Sequence, residues 1–211
     1  MQALTHFEHS ATMREQLRAN LSGFEPRRQS GTDLKHAAVV LAVTRYAQEA
    51  AIIVTRRAHT LRAHTGPWAL PGGRLDDGEN TAQAALREMH EEINLSLDES
   101  QILGFLDDYV TRSGYLMTPV VVWNNTPWDQ LHPNPDEVAT ISPFGFSELA
   151  RRDSPLLGEA AESDRPVLSM HFDGDVIFAP TGALLYQFRE VAMLGRSTRV
   201  LHYDQPRFAW K

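Results

Sequence analysis

The chain contains no cysteine. Disulfides, thiolate metal sites and cysteine nucleophiles are therefore excluded, and the absence agrees with a reducing compartment. Positive charge is also scarce: 20 Lys and Arg stand against 27 Asp and Glu, for a net charge of −7. A protein that grips a nucleic-acid backbone needs a basic face or run. The nearest features are the isolated pairs Arg27-Arg28, Arg56-Arg57 and Arg151-Arg152. No nucleic-acid partner is expected, whereas a small phosphorylated ligand needs only a few arginines. No apolar run is long enough to cross a bilayer, and residues 1–9 carry no charged-then-apolar leader pattern. These absences point to a soluble, cytoplasmic protein with no membrane partner. What remains is ordinary: 211 residues, 42% hydrophobic and 22% charged, enough for one domain with a sizeable core.

Along the chain, residues 1–30 read as an N-terminal helix and linker, with Met13, Leu17 and Leu21 at helical spacing before Gly23 and Pro26. Residues 31–211 read as one mixed α and β domain with a helical C-terminal extension. Strands are expected at 37–44, 51–55, 102–110, 116–123 and 137–141, and helices at 81–93, 147–152 and 181–193. In the last helix Leu184, Leu185, Phe188 and Val191 share a face. His36, His59, His64, His132, His171 and His202 show no zinc-like spacing, and Ser142, Ser147 and Ser169 lack a nucleophile-elbow context.

The informative segment is 73–95, GRLDDGENTAQAALREMHEEINL. Ala82, Ala85, Leu86 and Met89 form the expected core-facing stripe of its helix. Glu88, Glu91 and Glu92 share a neighbouring face. Like charges at this spacing destabilise a helix by roughly 0.2–0.5 kcal/mol per pair. They also lie toward the C-terminus, where the helix dipole disfavours anions. The helix alone leaves two readings open, a solvated acidic face or a site for hard divalent cations.

The spacing adds more. Gly73, five residues, Glu79, seven residues, Arg87-Glu88, then Glu91-Glu92, with Met89 and Leu95 at aliphatic positions, resembles the Nudix box. Asn94 stands where that family has glycine, and asparagine is the residue best able to replace it in a left-handed turn. The resemblance implies an α+β Nudix fold, a mixed β-sheet sandwiched between α-helices. It implies a metal-dependent hydrolase of diphosphate bonds, with Mg2+ or Mn2+ held by Glu88, Glu91, Glu92 and the Gly72 carbonyl. Arg87 and Glu79 would orient those carboxylates. The general base would be a box glutamate or a distant one; Glu137 is the loop candidate, beside its reading as a solvated acid.

Residues 53–62 (IVTRRAHTLR), Gly66 and 70–73 (LPGG) further resemble the motif that precedes the box in coenzyme A pyrophosphatases. Ala58 replaces that motif's serine and Leu70 its phenylalanine. The resemblance implies cleavage of coenzyme A or its thioesters to 3′,5′-ADP and (acyl-)4′-phosphopantetheine. Arg56, Arg57 and Arg62 would contact phosphate and Trp68 a base, although a tryptophan beside a strand also reads as core. The alternatives are a hydrolase of ADP-ribose or another nucleoside diphosphate derivative, and a non-catalytic nucleotide sensor. Apolar terminal segments leave a homodimer open.

Overall fold

A computed structural model of the chain describes residues 6–31, 33–58, 67–160 and 163–209. Arg62, with His59 and His64, lies outside the described residues. No described helix is long and apolar enough to cross a membrane.

Two strands organise the domain. β1 (Lys35–Tyr46) runs antiparallel to β2 (Glu49–Arg57) and parallel to β7 (Tyr115–Trp123). These strands are almost wholly apolar because both faces of the sheet are covered. Along β1, Val39, Leu41 and Val43 enter one core while Ala38, Val40 and Ala42 enter the other, the alternation a pleated strand imposes. Around them lie β3 (Trp68–Ala69) on β2, β4 (Gly72–Arg74) on β1, and β5 (Ile102–Phe105) and β6 (Tyr109–Val110) on β7. β8 (Val138–Gly145) pairs with β2 and completes a mixed eight-stranded sheet.

The helix α2 (Thr81–Ile93) covers one face, burying Ala84, Ala85, Met89 and Ile93. α1 (Ala11–Ser22) and α4 (Thr181–Phe188) cover the other. Far from hanging at the periphery, α1 buries Met13, Leu17 and Leu21 in the larger core. α4 continues into a wider π-type turn, Arg189–Met193, and both pieces are buried nearly all round.

Three expectations are corrected. The strand read over 102–110 is two, broken at Leu106–Asp108, because Asp107 and Asp108 are pulled out of the ladder by distant partners. Asp107 accepts from the Arg27 amide (2.7 Å), Gln187 Nε2 (2.8 Å) and Arg199 Nη1, and Asp108 accepts from the Gln29 amide (2.8 Å) and Arg28 Nη1 (2.8 Å). These bonds tie the linker and the C-terminal segment to the sheet. The helix read over 147–152 is the single turn α3 (Phe146–Leu149), set by burial of Phe146 and Leu149. The C-terminal region is not only helical: β9 (Leu156–Ala160), β10 (Ser163–Phe172) and β11 (Asp175–Phe178) form a second antiparallel sheet.

Candidate active site

The carboxylates cluster where α2 meets β4. Asn80 caps α2 by accepting from the Gln83 amide (3.0 Å), while the Gln83 side chain accepts from the Asn80 amide (3.0 Å). Asn94 closes the helix in the left-handed conformation (φ 54°, ψ 36°), so the turn expected of a glycine is made without one. The buried face is rotated from the expected stripe. Ala84, Ala85, Glu88, Met89, Glu92 and Ile93 are buried, and Ala82 and Leu86 only half-buried. The reason is Gly72-Gly73 opposite: a Cβ on Gly73 would stand 2.1 Å from Glu88 Oε1, so the missing side chain is the space Glu88 fills.

Arg87 gathers the acids. Its Nε and Nη2 donate to the two oxygens of Glu79 (3.0 Å each), Nη1 donates to Glu88 Oε1 (2.8 Å) and Glu91 Oε2 (2.7 Å), and Nη2 also reaches the Arg74 carbonyl (2.9 Å). The guanidinium beside Glu79 holds that carboxyl below the usual range. Burial pushes Glu88 up against the opposing pull of Arg87. Glu92 accepts from the Gly72 amide (3.3 Å) and is pushed up to about 7 by burial, with Arg57 opposing and Glu88 and Glu137 adding repulsion.

A lysine cannot reproduce this fork. Arg87→Lys is expected to lower kcat by about 10- to 100-fold while shifting stability by less than about 1 kcal/mol, since the ion pairs are partly exposed. Steady-state kinetics beside a melting curve checks both.

Glu137 is brought close by an unusual latch. The His132 amide donates to the Ile93 carbonyl (3.2 Å) and the Asn134 amide to the Glu92 carbonyl (2.8 Å), so the loop docks on the free carbonyls at the end of α2. Asn134 Nδ2 then steadies Glu137 Oε1 (3.3 Å). Glu137 is exposed, yet near enough to raise both buried glutamates.

The donor chemistry fits a hard divalent cation: three carboxylates on one helix, two of them pushed up chiefly by burial and further by neighbouring carboxylates. Among the described residues, no three such side chains are gathered closely enough to ligate one ion as they stand. Glu88 and Glu91 turn toward Arg87 and Glu92 toward the Gly72 amide, so side-chain rotation is what a bound cation would require.

Beside the carboxylates lies a cleft of about 670 Å³. Arg57, Gly72, Gly73 and Arg74 line one wall, and Val176 to Thr181, from β11 and the start of α4, the other. Of the residues expected to contact substrate, Arg57 lines this cleft and influences Glu92. Arg56 instead lies over the Trp68 ring at 4.0 Å and 3.8 Å from Asp175. Trp68 packs edge-on against Phe172 (4.9 Å) while also lining the cleft, so it serves the core and the wall together. The opposite wall was not anticipated from sequence, although Asp173-Gly174 between apolar runs is a hairpin signal; both residues have positive φ (49° and 75°).

Comparison with known proteins agrees with this geometry. A family model described as "NUDIX domain" matches residues 34–169, more than half of the chain. A protein of Photorhabdus laumondii named "Uncharacterized Nudix hydrolase NudL" is 40% identical over 124 residues, 58% of this chain and 65% of that protein. "Nudix hydrolase 3" of Caenorhabditis elegans is 31% identical over 147 residues, 66% of this chain and 61% of that protein. The chain thus spans less than two thirds of the length of either relative. A solved MutT/nudix family protein from Enterococcus faecalis matches with a TM-score of 0.47 at 14% identity, over 82% of this chain and 64% of that one. With the box residues assembled on α2 and the family model spanning the sheet that supports them, the chain belongs to the Nudix family and has its mixed-sheet α+β fold.

Proposed function

We propose that the chain is a pyrophosphohydrolase that cleaves the diphosphate of coenzyme A or its thioesters to 3′,5′-ADP and (acyl-)4′-phosphopantetheine. The observation that most supports hydrolysis is the joint grip of Arg87 on Glu79, Glu88 and Glu91, beside a cleft that Arg57 and Arg74 also line. The coenzyme A assignment rests on the motif formed by residues 53–62 and 70–73.

Members of this family generally need a divalent metal. In this reading Mg2+ or Mn2+ is held by Glu88, Glu91 and Glu92, with the Gly72 carbonyl as a further ligand. A bound divalent cation neutralises the anionic diphosphate and lowers the pKa of water. Arg87, braced by Glu79, would aim Glu88 and Glu91. Arg57 carries positive charge into the cleft beside Glu92, where a phosphate would sit. Glu137, exposed at the end of the latched loop, takes the proton from the attacking water as its oxygen bonds to phosphorus. The anhydride P–O bond breaks and the leaving phosphate carries the electron pair away.

The test is incubation with Mg2+ or Mn2+ and coenzyme A, acetyl-coenzyme A, ADP-ribose, NADH, diadenosine polyphosphates and nucleoside triphosphates, with products separated by chromatography. Release of 3′,5′-ADP and 4′-phosphopantetheine, lost in Glu91→Gln/Glu92→Gln, is the expected result. Preferential cleavage of another member would remove the coenzyme A assignment and keep hydrolysis. Tight binding without turnover of any member would sink both.

A further inference from the structure

We infer that the wall formed by β11 and the start of α4 is a specificity-determining surface that takes the acyl chain of a coenzyme A thioester. The acylated compound is then a better substrate than the free thiol. This inference rests on the coenzyme A reading and deepens it, since that reading treats the thiol and its thioesters alike.

The cleft differs in chemistry from side to side. Among its described lining residues the charged ones are Arg57 and Arg74, on the wall that holds Gly72 and Gly73. On the other wall, residues 176–180 (VIFAP) carry no polar side chain, and half-buried Met117 of β7 adds to the apolar lining. A diphosphate held at the first wall leaves the second nothing ionic to meet. Apolar surface gains from apolar atoms withdrawn from water. The arm of the free thiol is rich in amides, which lose hydrogen bonds to water there. An acyl chain adds methylenes alone. The volume of about 670 Å³ is that of sites that enclose a whole small molecule.

The wall is built to keep its shape. Ile177 and Ala179 are buried in the larger core, whereas Val176, Phe178 and Pro180 are half-buried, the alternation of a pleated strand. The Ala179 amide donates to the Leu168 carbonyl (2.9 Å). Gly182 lets α4 approach β11 closely, since a Cβ there would stand 2.2 Å from the Ile177 carbonyl oxygen. A surface fixed beforehand loses little freedom when a ligand settles on it. The competing occupant is a nucleobase, which stacks on aromatic faces. The Trp68 ring already has Arg56 over it at 4.0 Å and Phe172 edge-on at 4.9 Å, so the acyl chain is the better fit.

The experiment measures kcat/KM with Mg2+ for coenzyme A and its acetyl, butyryl and hexanoyl thioesters. It compares wild type, Val176→Asn, Val176→Leu and, as an exposed apolar position on β9, Leu157→Asn, with melting curves to verify folding. A buried methylene is worth up to about fourfold. Wild type should therefore prefer hexanoyl-coenzyme A to coenzyme A by about tenfold or more. That preference should collapse in Val176→Asn and survive in Val176→Leu and Leu157→Asn. Cleavage of all four compounds with equal efficiency, or a preference that Val176→Asn keeps, overturns the inference and leaves the hydrolase reading standing. Should none turn over, the hydrolase reading fails, and calorimetry in EDTA decides the wall. Tighter binding of hexanoyl-coenzyme A than of coenzyme A, weakened in Val176→Asn, supports it; equal binding or none overturns it. In the same titrations 3′,5′-ADP should bind wild type and Val176→Asn alike. Selective loss of 3′,5′-ADP in the variant would give the wall to the base and overturn the inference.

Discussion

Glu92→Gln is expected to lower turnover by about 10³-fold and, at the same time, to make the metal-free protein more stable at pH 8. The two effects have one origin. Glu92 is buried, only 4% exposed, and its carboxyl is held at about 7 in the folded chain against an ordinary 4.5. A folded-state pKa above the unfolded one gives stability that is complete below pH 4.5 and is lost as the pH rises through 7. A shift of this size corresponds to about 3 kcal/mol at most. Glutamine keeps an oxygen for the Gly72 amide and removes the charge. The variant should therefore match wild type at pH 4.5 in EDTA and exceed it at pH 8. Adding Mg2+ should raise the wild-type melting temperature most at the higher pH and close the gap to the variant. Equal stability of the two proteins in EDTA at both pH values would count against a strained carboxylate cluster.

The adjacent glycines should respond in opposite ways. At Gly72 (φ +147°) an added Cβ would lie 2.2 Å from the Ala38 carbonyl oxygen and 2.8 Å from the Val39 Cα, both backbone atoms of the central strand. Neither can retreat without breaking the pairing of β4 with β1. Gly72→Ala should therefore cost about 3–5 kcal/mol or prevent folding. At Gly73 the obstacle is instead the Glu88 carboxylate, the far end of a flexible side chain. Gly73→Ala should fold with a loss of about 1 kcal/mol yet lose about 100-fold in kcat, because the displaced group is a proposed metal ligand. Denaturant melts and kinetics on the two variants separate the cases. A Gly73→Ala protein with full activity would remove Glu88 from the metal site.

Much of this site is written in local sequence. The bounds of α2 follow from Asn80 and Gln83 at one end and Asn94 at the other. The apolar run of β1 marks a strand buried on both faces, and the spacing from Gly73 to Glu92 carries the chemistry. What could not be read locally is what depends on a distant partner. The stripe on α2 was misplaced because two glutamates occupy buried positions, and only the bare backbone of Gly72-Gly73 makes room for them. The strand over 102–110 looked continuous because nothing nearby announces that Asp107 will meet Arg199 and Gln187. The far wall of the cleft comes from β11, whose Asp173-Gly174 turn was legible but whose place across the cleft from β4 was not.

The docking of the 132–138 loop on the last carbonyls of α2 also has a mechanical meaning. The proposed base and the proposed metal ligands ride on one body: if the helix end shifts by a fraction of an ångström, the loop shifts with it. Breathing of the sheet beneath would then leave the distance between proton acceptor and carboxylates nearly constant. Tolerance should follow the same division. The exposed side chain of Asp136 is free to vary, whereas inserting or deleting one residue between His132 and Glu137 would detune the reaction without unfolding the chain.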